Sequence, residues 1–425
     1  MRLEMGIFPV RKVAFGSRTG YRDGSLTVNA QELKEVMMAE GGFLDVRFDL
    51  AHPGESVRIV HNVDAVEPLY KVSGRSCAFP GFLGRALTAG EGRTHKLAGM
   101  CILSTTRYPG PQTGIMTFRD SIIDMSGPGA LYCATSETAN LVACYEPIPT
   151  ASNGEHDAAI RLATLRGASC LARCTADLKP EKIEVYELGE VGPTLPRIVY
   201  VDQVMHQAVM VATYVYGKDL DDSLPTLIHP NEMLDGAVVG ANYKTGQKVP
   251  TYLHCNKPLL LELYRRHGKD LNFAGVVITR GHRDNQALKE RSAQYVAKLA
   301  KLLKADGAVL AHEGGGNSSV DYFLTVQALE QAGVKAVPIM YETADPGSGD
   351  FPLVYTVPEA DAIISKGLQG QSIVLPAVER VIGSPKFKPY GSPMVDTASS
   401  FEVTNADLYA DEWGMEISHF TGKDY

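Results

Sequence analysis

The chain has no run of about 20 uncharged apolar residues, so no stretch of it reads as a bilayer-spanning helix. Its opening, MRLEMGIFPVRKVAF, scatters charges among the apolar residues and shows no secretory signal, so the expected compartment is the cytoplasm. Seven cysteines form an odd set without CxxC spacing, which suggests neither a disulfide framework nor a zinc ribbon. Nucleotide and serine-hydrolase signatures are missing as well. Gly127-Pro-Gly129 and Gly347-Ser-Gly349 lack the third glycine of a dinucleotide fingerprint, Gly90-Glu-Gly92 runs on into Arg-Thr-His, and neither a P-loop nor GxSxG occurs. Positive charge is scarce: 41 Lys+Arg against 49 Asp+Glu leave a net charge of -8, which argues against nucleic acid or an anionic membrane as partner. A small molecule or another protein is expected instead.

What is present is an ordinary globular composition, 44% hydrophobic and 21% charged, over 425 residues. At about 150 residues per domain that length allows two or three domains. Residues 1–150 alternate short β-branched runs (44–48, 57–60, 65–72) with Gly and Pro, and read as a mainly β domain. Residues 151–258 form an α/β segment, helical over 157–172 and strand-like at 182–186 and 197–202, followed by a turn-rich connecting region from 217. Residues 259–383 carry the clearest pattern, a parallel α/β domain with crossover helices. Strands are expected at 272–279, 307–311, 335–340 and 372–375, with helices at 284–304 and from a Ser318 or Ser319 cap to Gln331. On the first helix, Leu288, Tyr295, Val296, Leu299, Leu302 and Leu303 form the apolar stripe. Residues 384–425 are a C-terminal tail. The fold class is therefore α/β, an N-terminal mainly β domain followed by α/β segments.

Open parallel sheets bind ligands beyond the carboxyl ends of their strands, where loops converge and helix N-termini project positive dipoles. Those ends here read Arg280-Gly281-His282-Arg283, His312-Glu313-Gly314-Gly315-Gly316-Asn317 and Tyr341-Glu342. His312 and Glu313 suit acid–base chemistry, or could ligate a divalent metal with His282 or His254, although no HExxH spacing supports a metal. Gly314, Gly315, Gly316 and Asn317 would bring main-chain N–H groups close to an anionic substrate, with Glu342 nearby. Each of these residues reads equally well as a cap or solvated loop position. Cys255, beside His254, is a candidate thiol but more plainly a buried one, and Cys170 and Cys174 share a helix face as core residues do.

Several stretches together carry a more specific signal: Gly92-Arg-Thr-His95, Ile122-Ile-Asp-Met-Ser-Gly-Pro-Gly129, Ile183-Glu-Val-Tyr-Glu187, Thr213-Tyr-Val-Tyr-Gly217, His229-Pro-Asn-Glu232 with Asp235-Gly236, Glu313-Gly314 with Gly316-Asn317, and Val381-Ile-Gly383. In this order the chain resembles the proprotein subunit of component B of the glycine, sarcosine and betaine reductases. The resemblance implies a subunit that works with partner chains, in a hetero-oligomer, on cleavage of a C–N bond in a small nitrogenous substrate. It also implies a pyruvoyl group made by self-cleavage at an internal cysteine shortly after the Asp-Gly pair. Here Tyr243 stands in that place, in Gly240-Ala-Asn-Tyr243. A phenol cannot undergo the N-to-S shift and β-elimination, so an intact, pyruvoyl-free chain is expected, with Cys255 the nearest remaining thiol. Further departures from the family are His312 ahead of Glu313 and Ser318-Ser319 in place of an aspartate-rich continuation. Two alternatives stay open: a non-catalytic scaffold or binding subunit of such a complex, and a metal-dependent hydrolase on the same fold.

Overall fold

The computed structural model describes residues 1–109, 121–206, 212–240, 249–342, 353–368, 372–389, 392–404 and 407–408. A six-stranded sheet dominates the second half. Its order is Thr226–Ile228, Asn272–Gly281, Arg197–Met205, Gly307–His312, Lys335–Glu342, Ile364–Leu368, and all pairs are parallel except the first. Val199, Val201, Val277 and Leu310 are fully buried, as expected of strands covered on both faces.

Three details differ from the sequence reading. Ser372–Leu375 is a strand, but it pairs antiparallel with Phe401–Thr404 in a separate two-stranded sheet. The parallel edge is instead Ile364–Leu368, whose ISKGL sequence lacks the apolar run that marks a buried strand. The helix Gln286–Leu302 turns inward a face that only partly overlaps the expected stripe: Val296 is buried and Leu299 and Leu303 pack against the core, but Ser292, Ala293, Ala297 and Ala300 are buried beside them, whereas Tyr295 and Leu302 are exposed. Small residues let this helix lie close to its neighbour Asn317–Gln331, so volume rather than hydrophobicity selected the packed face. That second helix is capped by Gly316, with no side-chain cap; Ser318 and Ser319 lie buried inside its first turn.

The N-terminal part is built from mixed sheets. One runs Asp45–Ala51, Ala139–Glu146, Met100–Thr106, Asn62–Val66; another runs Lys182–Glu187, Arg2–Pro9, Gly92–Ala98, Leu69–Ser73. The helix Asn153–Arg173 packs on both, started by a Ser152/Glu155 capping box. Arg380–Ile382 joins Val57–Val60 and Ile122–Asp124, which returns the C-terminal region to the N-terminal half.

That return is locked by charge. Arg58 is fully buried and grips Asp124 through Nε (2.6 Å) and Nη2 (2.9 Å), while donating to the carbonyls of Pro376 (2.8 Å), Thr397 (2.8 Å) and Ser399 (3.1 Å). The Asp-Met-Ser-Gly-Pro-Gly run is thus a structural clamp, with Gly127 at φ +76° turning the chain. Asp124→Ala leaves a buried guanidinium without its anion and should cost about 3–5 kcal/mol. Urea unfolding measures this; a loss below about 1 kcal/mol would show that the clamp does not hold the fold.

Candidate functional site

Three strands of the parallel sheet end side by side in Met205, Gly281 and His312, and the chain just beyond His312 carries the most heavily bonded carboxylate of the region. Glu313 is fully buried. Its Oε2 accepts from the main-chain N–H of Met205 (2.7 Å) and the hydroxyl of Thr213 (2.7 Å), and its Oε1 accepts from Val249 N (3.1 Å) and His254 Nε2 (3.1 Å). Gly314 follows at φ +85°, where a Cβ would meet Ser318 Oγ and Met205 Sδ, so the tight turn admits no larger residue. His254 closes the short helix Thr251–His254 and is fully buried; burial lowers its pKa and the Glu313 carboxylate opposes that shift only in part. Its Nδ1 has no hydrogen-bond partner among the described residues.

The start of the same short helix binds a second buried carboxyl. Asp64 Oδ1 accepts from Thr251 N (3.0 Å) and Ala65 N (2.8 Å), and Oδ2 accepts from the Thr251 hydroxyl (2.7 Å), whose oxygen in turn accepts from Gly240 N (2.9 Å). Burial raises the Asp64 pKa to about 7; these hydrogen bonds and the charge of Arg161 limit the rise. A third pair lies close by: Lys257 Nζ donates to Asp202 Oδ1 (2.6 Å) and Tyr200 Oη (3.0 Å), all of them buried, and its charge is felt at His254.

Of the residues singled out from sequence, Glu313 and His254 meet. His312 does not join them. Neighbouring residues on an extended chain point to opposite faces, and the His312 ring lies between Tyr322 and Tyr341 (centroids 4.4 and 5.7 Å), where burial holds its pKa well below the usual histidine value. The ring is a core residue and is not placed for acid–base work beside Glu313. His282 sits at φ +64°; its N–H and that of Arg283 donate to Asp321 (3.1 and 3.3 Å), which also pairs with Lys289. Burial and the nearby Lys289 and Arg280 charges lower the His282 pKa. Gly315 is half-buried, Gly316 and Asn317 are exposed, and Glu342 accepts from Ser365 on the edge strand.

Cys255 is 4% exposed, and burial pushes its thiol pKa up. It lines a separate cavity of about 210 Å³ with Lys96, Asn256 and Tyr186. A protonated thiol packed into a helix end does not fit a self-processing nucleophile. Tyr243 lies outside the described residues. None of the seven cysteines is in a disulfide, and among the described residues no three His, Cys, Asp or Glu side chains converge to hold a metal. No described helix is long and apolar enough to cross a membrane.

Asp64, Thr251 and the Asp202–Lys257 pair were not picked out from sequence, and Thr213 only as the first residue of a family-marking stretch. The one available signal was a lone acid inside an apolar strand, Asn62-Val-Asp-Ala-Val66.

The architecture is that of an α/β protein with a buried acid–histidine pair at the carboxyl edge of a parallel sheet. Residues 1–399 match the family described as glycine/sarcosine/betaine reductase component B subunits, and the chain belongs to that family. It is 36% identical over 392 residues to the glycine reductase complex component B subunits alpha and beta of Acetoanaerobium sticklandii, covering 90% of this chain and 89% of that one. It is 37% identical over 393 residues to the sarcosine reductase complex component B subunit alpha of Peptoclostridium acidaminophilum (90% and 89%), and 35% identical over 398 residues to the betaine reductase subunit of the same organism (90% and 88%). No solved structure matches.

The raised pKa of Asp64 has a definite consequence for stability. The folded state keeps the proton up to about pH 7, whereas the unfolded carboxyl loses it near 3.8, so Asp64 favours folding less and less as pH rises from about 4 to 7. His254, with a lowered pKa, acts in the opposite sense, favouring folding above its unfolded pKa and losing that contribution on acidification. The difference between wild type and Asp64→Asn isolates the first effect. Thermal unfolding from pH 4 to 8 should show Asp64→Asn gaining stability relative to wild type across that window; parallel curves would place the Asp64 pKa elsewhere.

Proposed function

We propose that the chain is an unprocessed, pyruvoyl-free component B-like subunit that acts with a partner chain on C–N bond cleavage of a small, amino-acid-like substrate. The observation that carries this reading is the bonding of Gly240 and Val249, the described residues that flank Tyr243 in sequence. Gly240 on one flank is bonded to Thr251, and Val249 on the other is bonded to Glu313. The described residues on either side of the stretch that bears the family's processing cysteine are therefore bonded into the Asp64–Thr251 and Glu313–His254 network. With tyrosine there and Cys255 buried, the residues do not fit pyruvoyl formation, and no step is routed through that group.

The chemistry then falls to the chain's own proton-bearing groups. Departure of an amine needs a proton, and Asp64, poised near neutrality, can hold and release one. The neutral His254 ring offers Nδ1 as an acceptor. A reductive cleavage would need a thiol or selenol from the partner. One observation favours the scaffold reading: among the described residues four donors already point at Glu313, as suits an anchor more than a proton carrier.

Intact-mass spectrometry should give one species near 46.0 kDa; two fragments, the second with a carbonyl at its N-terminus, would overturn the unprocessed state. Amine release should then be assayed for the chain combined with its partner. Asp64→Asn should lower turnover by about 10²-fold or more while the complex still forms. Complex formation with no turnover, or with turnover indifferent to Asp64→Asn, would establish the scaffold.

A further inference from the structure

A second cavity, of about 350 Å³, opens on the N-terminal half, lined by Arg47, His61, Arg107, Glu146, Gly383 and Ser384 among others. We propose that it is a binding site for a small oxyanion of the phosphate type.

The case begins with how the arginines of this region are partnered. Arg58 is neutralised by Asp124, and Arg380 by Asp49 (2.6 Å) and Glu55 (3.1 Å). Arg47 and Arg107 have no carboxylate within ion-pair distance among the described residues. Arg107 is held instead by an imidazole and a hydroxyl: its Nε donates to His61 Nε2 (3.2 Å) and its Nη2 to Ser384 Oγ (2.6 Å), which itself donates to the Lys386 carbonyl (2.8 Å). A guanidinium positioned without a carboxylate keeps its remaining N–H donors for another ligand.

The frame that fixes it is built at some cost. His61 occupies the left-handed region at φ +62°, uncommon for a residue with a Cβ, and is held there by N–H donation to Ser121 O (2.9 Å) and by accepting from Thr106 N (3.2 Å). The Arg107 Nε–H points at the Nε2 edge of that ring. Arg47 reaches the cavity from the adjacent strand, opposite Cys144 in the register. The cavity lining therefore holds two arginines against one carboxylate, that of the exposed Glu146, in a protein whose net charge is -8. Two guanidiniums at one cavity repel each other until an anion bridges them, and a phosphate-type oxyanion accepts from both forks.

The test uses the full-length protein and inorganic phosphate, titrated calorimetrically against chloride at matched ionic strength, with a phosphate monoester as a second arm. Arg47→Gln and Arg107→Gln should each raise the Kd for phosphate at least tenfold, while Arg22→Gln, at an exposed turn, should leave it unchanged. Both side chains are on the surface, so the variants should keep the wild-type melting temperature in chloride, and retention of that value checks the fold. Binding of free phosphate alone would assign the cavity to the inorganic anion, and binding of both probes to a phosphoryl group on a larger molecule. No saturable phosphate binding, or binding that both substitutions leave intact, would overturn the proposal.

Discussion

One carboxylate holds the carboxyl edge of the parallel sheet together. Glu313 gathers the end of the central strand through Met205, the segment after it through Thr213, the chain entering the short helix through Val249, and that helix's last residue through His254. An ionised carboxyl without solvent is tolerable only when its lone pairs are filled by good donors, and here every donor comes from a different piece of chain. The electrostatic requirement thereby becomes a positional one. The same tight geometry sends His312 to the opposite face, into the stack with Tyr322 and Tyr341.

The sequence stretches that mark the family divide into two physical kinds. Most are scaffolding. Asp124 neutralises Arg58; Asp235 accepts from Lys71, Thr94 and Gly90 just ahead of the left-handed Gly236; and His229-Pro-Asn-Glu232 forms a capping box on a five-residue helix. These residues fix where the chain runs as it approaches residue 240. Few of the quoted motif residues belong to the buried network itself: Thr213, Glu313 and Gly314 do, whereas Asp64 and His254 lie outside every motif.

This division explains what sequence could and could not reveal. Parallel strands covered on both faces must be apolar throughout, so 272–279 and 307–311 were legible from their β-branched runs. The edge strand Ile364–Leu368 is covered less and carries a lysine and a glycine, so no pattern marks it. The apolar stripe of Gln286–Leu302 locates only part of its packed face, because close helix contact selected alanine at several of the buried positions. In the site, strand-end position correctly drew attention to Glu313. Its pairing with His254, 59 residues away, is a product of tertiary folding that no spacing encodes. Asp64 is farther still from Thr251, 187 residues along the chain, and a single acid in a short apolar strand is weak notice of a proton-bearing group.

The choice between an active subunit and an inherited scaffold turns on Asp64 more than on Glu313. Glu313 needs its charge, because four donors face it and a neutral group would leave some of them without an acceptor. Asp64 has no such need: three donors reach it, one of them a hydroxyl that can reverse its role, and burial already favours the neutral form. An asparagine would satisfy the same main-chain groups without a titrating proton. Packing alone therefore accounts for Glu313 but leaves the acidity of Asp64 unexplained. A carboxyl poised near neutrality and bonded to Thr251, which accepts from Gly240 N, is on the proposed reading the group that moves the proton. On the proposed reading, the loss of the cysteine removes the electrophile and leaves the proton-handling part of the site in place.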